Sequence, residues 1–305
     1  MIIKRMDSKQ KEVEELSSLL TEDITPNQKF LIDRELKAMK KGVHGEEDSA
    51  YYIDFYFGAS KNWAVINDLR IEHDKHTAQI DHLLINRFFD IYVLESKNYS
   101  YGIKVNQEGE FQAYYGKQTY GIPSPIEQND RHIFLLDKFL SANEVLPKRM
   151  GISIRPKLKS FVLVSPKSLI TRPSEKKFNT STVIKADFLK TKIYEEDDKV
   201  NQLSDIFSFG KISFSSTIEE TAKKLVSFHK PKRIDFRAKF CLPKQGLLKT
   251  QENIEPVKEQ KSESSPKFFC IKCRRPVSEK VAKFCWQNKS KFGGKVYCFD
   301  CQKSY

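Results

Sequence analysis

Two apolar runs, Gln79 to Asn86 (QIDHLLIN) and Asp90 to Lys97 (DIYVLESK), are separated only by Arg87-Phe88-Phe89. Runs of this length and composition predict strands, and so short a gap ties them into an antiparallel hairpin. Side chains alternate along a strand. Glu95 and Lys97 therefore share a face with Ile91 and Val93, while Tyr92, Leu94 and Ser96 share the other. A carboxylate and an ammonium closing an otherwise apolar strand are costly if buried unpaired. A divalent cation and a phosphate would pair both. Asp81 lies on the preceding strand, across the same hairpin. Two converging carboxylates suit a hard cation such as Mg²⁺ (or Mn²⁺), which takes oxygen ligands and keeps several waters. Lys97 would then orient or help deprotonate the attacking water and stabilise the developing charge. Taken alone, Glu95-Ser96-Lys97 fits an ordinary surface ion pair at a sheet edge better, because such triplets are common. The apolar surroundings and the acid on the partner strand favour chemistry.

Around this hairpin the periodicity alternates between helix and strand, which predicts an α/β chain with a mixed sheet flanked by helices. Residues 7–20 read as a short charged helix with Val13, Leu16 and Leu20 on one face. Phe30 to Lys41 reads as a second helix. Gly42 is expected to end or bend it before a further helical stretch up to Phe57. Trp63 to Ile71, Lys159 to Ser165 and Ser181 to Ile184 read as strands, and 99–121 as short strands and turns. Tyr99, Tyr101 and Tyr120 in that stretch are expected to pack in the core or in turns rather than stack on bases. Ile126 to Leu140 is a helix entered through Pro123 and Pro125, with Ile126, Ile133, Leu136 and Leu140 inward. Thr217 to His229 reads as a closing amphipathic helix.

Four short pieces occur in order. They are Gly42-Val43-His44-Gly45-Glu46, Gln79-Ile80-Asp81-His82, Glu95-Ser96-Lys97-Asn98-Tyr99 followed by Gly102-Ile103, and Pro125-Ile126-Glu127-Gln128 with His132. In this order they resemble the nuclease-related domain (NERD) family of the PD-(D/E)xK restriction-endonuclease-like superfamily, over roughly residues 40–140. The resemblance implies a restriction-endonuclease-like core. It implies Asp81 and Glu95 as metal ligands, Lys97 as the catalytic lysine, Glu46 as a further carboxylate and Gln128 as a group reaching the water or the scissile phosphate. The family's tryptophan after the catalytic strand is replaced here by Phe111, Tyr114 and Tyr115. His44, His82 and His132 stand beside motif residues and are given no catalytic role.

The tail carries a second chemistry. Cys270-x-x-Cys273 and Cys298-x-x-Cys301 are separated by 24 residues, the spacing of a tetrahedral structural Zn²⁺ site. A segment this short cannot build a sufficient core, so a metal staple is expected. Cys285 lies between the knuckles as a possible replacement ligand, and Cys241 is expected to be a buried thiol. The module is basic and aromatic: residues 241–305 hold 14 Lys/Arg against 6 Asp/Glu, in a chain of formal net charge +13. That bias favours polyanionic partners, above all nucleic acid.

The expected division is a helical extension over 1–27, a NERD-like nuclease domain over 28–240, a flexible Lys/Glu/Ser/Pro-rich linker over 241–267 and a zinc ribbon over 268–305. No run is long and apolar enough for a membrane span, and the start lacks a secretory signal. The paired cysteines suit a reducing compartment, so a cytoplasmic location is expected. The function expected is a metal-dependent nuclease acting on DNA, although no residue by itself separates DNA from RNA. The rival expectation is a catalytically idle nucleic-acid-binding or recruitment protein on the same fold.

Overall fold

A computed structural model describes residues 1–99, 101–116, 118–197, 215–243, 268–273 and 275–302. The Lys/Glu/Ser/Pro-rich stretch 244–267 expected to be a linker, and Arg274 of the basic tail, lie outside the described residues. The chain divides into two compact units, Met1–Lys244 and Gln245–Tyr305.

In the first unit, β1 (Ile2–Lys4) is followed by α1 (Gln10–Leu19), α2 (Pro26–Ile53) and a π-helical turn, Asp54–Gly58. The strands β2 (Trp63–His73), β3 (His76–Asn86) and β4 (Asp90–Lys97) come next. Then come β5 (Gly102–Val105), β6 (Phe111–Tyr115), β7 (Gln118–Ile122) and α3 (Pro125–Ala142). A small hairpin, β8 (Lys148–Arg149) and β9 (Ile152–Ser153), leads to β10 (Lys157–Val164), β11 (Leu169–Thr171) and β12 (Val183–Lys185). The unit closes with α4, helical over 189–197, α5 (Ser215–Val226) and α6 (Phe236–Lys239).

The main sheet has the order β1-β2-β3-β4-β10-β12. It is mixed: β2, β3 and β4 are antiparallel neighbours, while β1, β10 and β12 join in parallel. Alternation sorts its side chains into two cores. Ile66, Leu83, Ile91 and Val93 pack under α3 and α5 on one face. Val65, Leu84, Tyr92 and Leu94 pack under the end of α2 and Ile193 on the other. A second sheet, β11-β5-β6-β7, sits beyond β4 in sequence and encloses Ile103, Val105 and Phe111.

The β3–β4 connection follows from Asn86. Its side-chain oxygen accepts from the N–H groups of Phe88 at 3.0 Å and Asp90 at 2.9 Å, and Phe89 turns the chain in the left-handed region at φ 61°. The α2 helix differs from expectation at two points. It starts earlier, at Pro26, because Thr25 and Gln28 form a reciprocal capping box with proline at the first turn. It also runs straight through Gly42, the expected end or bend. A β-carbon at Gly42 would meet nothing within 4 Å, so the glycine is helical and costs stability without breaking the helix. Other expectations shift locally. Ile126 packs on the second-sheet core rather than beside Leu136. Tyr101 and Tyr120 are exposed, and only Tyr99 packs inward. Cys241 is exposed, contrary to the buried thiol expected. It sits at φ 53° after α6, with its N–H bonded to the Ala238 carbonyl, and Leu242 takes the buried place.

Candidate active site and cysteine cluster

Both strands before the site change face together. Ile66 and Leu69 of β2 point into one core, as do Ile80 and Leu83 of β3, so the alternation slips at Asn67-Asp68 and at Asp81-His82. Asp68 supplies the slip on β2, at φ 58°. The flanking pairs Asn67/His82 and Leu69/Ile80 keep register, which leaves Asp68 opposite Asp81. On the other side of β3, the ladder to β4 ends at His82/Leu94. Asp81 and Glu95 are the next positions beyond it. The Asp81 carboxylate there accepts the Ser96 N–H at 2.7 Å instead of leaving that backbone donor to a strand partner.

Glu95 is buried, yet charged groups surround it. Its Oε1 accepts from Lys97 Nζ at 2.6 Å and from Gln128 Nε2 at 2.7 Å. Its Oε2 is buried without a hydrogen bond and faces His132 Nδ1, itself unbonded, at 3.4 Å. Burial alone would raise the Glu95 pKa, but His132 and Lys97 outweigh it and hold the carboxyl below its ordinary value. Burial likewise opposes the Lys97 charge, and Glu95 more than restores it. Burial, with the charges of Glu95 and Glu46, pushes Asp81 well above the carboxylate range. Glu46, reaching in from α2, is pushed up to about 7, first by burial and then by Asp68, with Glu95 adding to it. Gly45 lets α2 come this close: a β-carbon there would lie 2.5 Å from the Asn98 β-carbon. Asn98 in turn donates to the Lys41 carbonyl at 3.2 Å.

All five residues singled out from the sequence, Glu46, Asp81, Glu95, Lys97 and Gln128, thus fall within one electrostatically linked group. Two more ionisable side chains, His132 and Asp68, lie in the same group. His132 lies four residues after Gln128 on α3, one turn along the same helix face, and that spacing was the available signal. Asp68 depends on a left-handed kink that no local pattern announces. The other two histidines are structural or solvated. His82 is buried between Asn67 Oδ1 at 2.8 Å and Ser96 Oγ at 3.0 Å, and burial lowers its pKa to about 3, so it is neutral. His44 is exposed. Asn129, the residue after Gln128, is a buried bolt that donates to the Val93 carbonyl at 2.8 Å and to Ser160 Oγ at 2.9 Å, tying α3 to β4 and β10.

The donor set fits a hard divalent cation. Three mutually repelling carboxylates and a buried Glu95 oxygen without a hydrogen bond are the pattern a cation relieves. Asp81 and Glu95 would hold it, with Glu46 beside them. They form a pair to be completed by water and phosphate oxygens rather than a closed cage.

The second unit has a hairpin of β13 (Phe268–Phe269) and β14 (Pro276–Val277), then α7 (Glu279–Gln287), α8 (Lys289–Phe292) and α9 (Phe299–Gln302). The turn of the hairpin carries Cys270 and Cys273, and Cys298 and Cys301 flank and enter α9. Their four sulfurs lie within 4.8 Å of one another, the one such tight group of metal-ligating side chains among the described residues. Burial opposes ionisation of Cys270, but N–H groups of Cys298, Cys273 and Lys272 aimed at its sulfur lower its pKa to about 6. Contact with Cys298, then burial, raises Cys301 to about 12. Such a group fits Zn²⁺, which takes thiolates. Cys285 stands apart, buried on α7 and accepting from the Tyr297 N–H at 3.4 Å, so it belongs to the core and not to the cluster.

Residues 41–165 match the family model of the nuclease-related domain, NERD. The NERD match takes in Glu46, Asp81, Glu95, Lys97 and Gln128, together with Asp68 and His132, and it supports a nuclease-like function. The segments α1, β11 to α6 and the cysteine module lie outside it. No curated protein and no solved structure matches the chain. No helix among the described residues is long and apolar enough to cross a membrane.

Proposed function

We propose that this protein is a metal-dependent nuclease that hydrolyses phosphodiester bonds in DNA, with the unit Met1–Lys244 as its catalytic part. The observation that carries the reading is the meeting of Glu95, Lys97 and Gln128 through one carboxylate oxygen, beside Asp81 and Glu46. Asp81 and Glu95 would hold Mg²⁺ or Mn²⁺, which when bound supplies Lewis-acid charge against the scissile phosphate. Glu95 turns Oε1 to Lys97 and Gln128 and keeps Oε2 unbonded for a ligand role. Lys97 holds its proton at Nζ and is placed to orient the attacking water and offset charge developing on the phosphate. Gln128 fixes the Glu95 carboxylate and can turn its amide to water or phosphate. The cysteine module, loaded with Zn²⁺, would contact nucleic acid through its Lys and Arg side chains and raise the local substrate concentration. Reduced zinc-binding thiols fit a cytoplasmic setting.

The test is cleavage of matched DNA and RNA oligonucleotides with added Mg²⁺ or Mn²⁺, by the wild type and by Asp81→Ala. DNA cleavage that needs the added cation and vanishes in the variant supports the assignment. RNA cleavage alone overturns the substrate, and equal cleavage by Asp81→Ala overturns the site.

A further inference from the structure

A cleft of about 530 Å³ opens onto the carboxylates, with Glu46, Asp68 and Asp81 on its walls together with Lys9, Arg70 and Lys232. Lys232 belongs to an exposed basic run, Lys230-Pro231-Lys232-Arg233, that follows α5. Both ends of this run are fixed. At its start, His229 Nδ1 accepts the Arg70 N–H at 3.0 Å and His229 Nε2 pairs with Asp7 at 2.8 Å. The Lys230 N–H then donates to the Arg70 carbonyl at 3.0 Å, so the segment is laid against the edge of β2. At its end, Ile234 and Phe236 enter the core formed with α1 and α2. Between the anchors, Pro231 restricts the backbone and offers no N–H.

The charges along the run differ in use. Lys230 and Arg70 are both paired with Glu72, at 2.9 and 2.7 Å. Lys9 is 3.5 Å from Asp68. Lys232 and Arg233 have no carboxylate within ion-pair distance among the described residues, although Glu12 and Glu35 also line the cleft. Lys232 on the cleft wall and the exposed Arg233 next to it are thus two unpaired cations on a doubly anchored segment beside a cleft that reaches Asp81.

We propose that Lys232 and Arg233 form a backbone track that binds the phosphates of a nucleic-acid strand next to the scissile one. The proposal rests on the nuclease reading for the identity of the strand. The track adds charge where a polyanion must approach three carboxylates, an approach that is otherwise repulsive. Because it acts away from the reacting phosphate, it binds substrate and transition state alike and acts on KM rather than kcat.

The test uses the full-length chain. Binding of a fluorescent DNA oligonucleotide is followed by anisotropy between about 50 and 200 mM salt, in a Lys97→Ala background so that the probe stays intact. Lys232→Ala/Arg233→Ala should weaken binding and reduce the slope of log affinity against log salt by about two, one for each phosphate no longer neutralised. Lys232→Arg/Arg233→Lys should restore both. In the active background the double alanine variant should raise KM and leave kcat unchanged. Lys223→Ala/Lys224→Ala removes the same charge from α5, which packs against the opposite face of the sheet, and should leave the slope within half a unit of its parent (about 0.5). An unchanged slope in the cleft variant, or an equal loss in the α5 control, overturns the track. Absence of cleavage by the wild type would instead strike at the nuclease reading and would leave the binding comparison to decide the track by itself.

Discussion

Glu95 is the residue on which the site turns, because each of its oxygens has a different partner. Lys97 and Gln128 saturate Oε1, and Oε2 is left to a cation or to His132. Gln128→Ala should therefore leave the fold intact and reduce cleavage by about 10- to 100-fold, the usual cost of losing a group that orients a metal ligand. Steady-state kinetics with a circular-dichroism check measures this, and an unaltered kcat would remove Gln128 from the site. Gly45 carries the opposite kind of constraint. Gly45→Ala would drive a β-carbon into Asn98 and should cost about 1–3 kcal/mol in denaturant unfolding. At this scale much was legible. Parity placed Glu95 and Lys97 on one face, and the ordered motifs brought in Glu46, Asp81 and Gln128. Asp68 was not legible, since its place opposite Asp81 depends on a left-handed residue that only the paired strand explains. His132 was given no catalytic role because a histidine beside a motif is usually a packing residue, and what its position adds is a ring nitrogen 3.4 Å from Glu95 Oε2.

Among the elements, α2 shows how tertiary contact overrides local propensity. Gly42 reads as an end or a bend, yet α2 runs unbroken through its 28 residues because its second half is pinned by Ile53 in the core and by Gly45 against Asn98. Gly42 then has no structural task. Gly42→Ala should stabilise the first unit by up to about 1 kcal/mol through helix propensity, read as a higher thermal midpoint. A lower midpoint would mean that the space seen around Gly42 is not open. The capping box at Thr25 was present in the sequence as Thr-x-x-Gln and, properly weighted, would have started the helix at Pro26. The β3–β4 hairpin was fully legible, because an apolar pair of runs joined by three residues has few other solutions. The parallel addition of β10 beside β4 was not, since partners distant in sequence leave no periodic trace.

At the scale of the whole molecule, the candidate active site lies in one compact unit and the cysteine cluster in the other. The second unit has a small core in which Cys270, Cys285 and Cys298 are themselves members, so its folding should depend on metal. One Zn²⁺ per chain is expected by elemental analysis. Cys298→Ser should abolish that zinc and expose 268–302 to hydrogen exchange, while the thermal transition of Met1–Lys244 stays where it is. A joint loss of both units would show that they are not independent. The central claim, that Asp81, Glu95 and Lys97 hydrolyse phosphodiester bonds with a divalent cation, is tested most directly by one comparison. DNA cleavage with Mg²⁺ or Mn²⁺ is measured for the wild type and for Lys97→Ala, both shown to be folded. The wild type should cleave only with added cation, and Lys97→Ala should be slower by at least about a hundredfold. Equal rates for the two proteins, or cleavage by neither on single-stranded, duplex, circular and branched DNA, would contradict it.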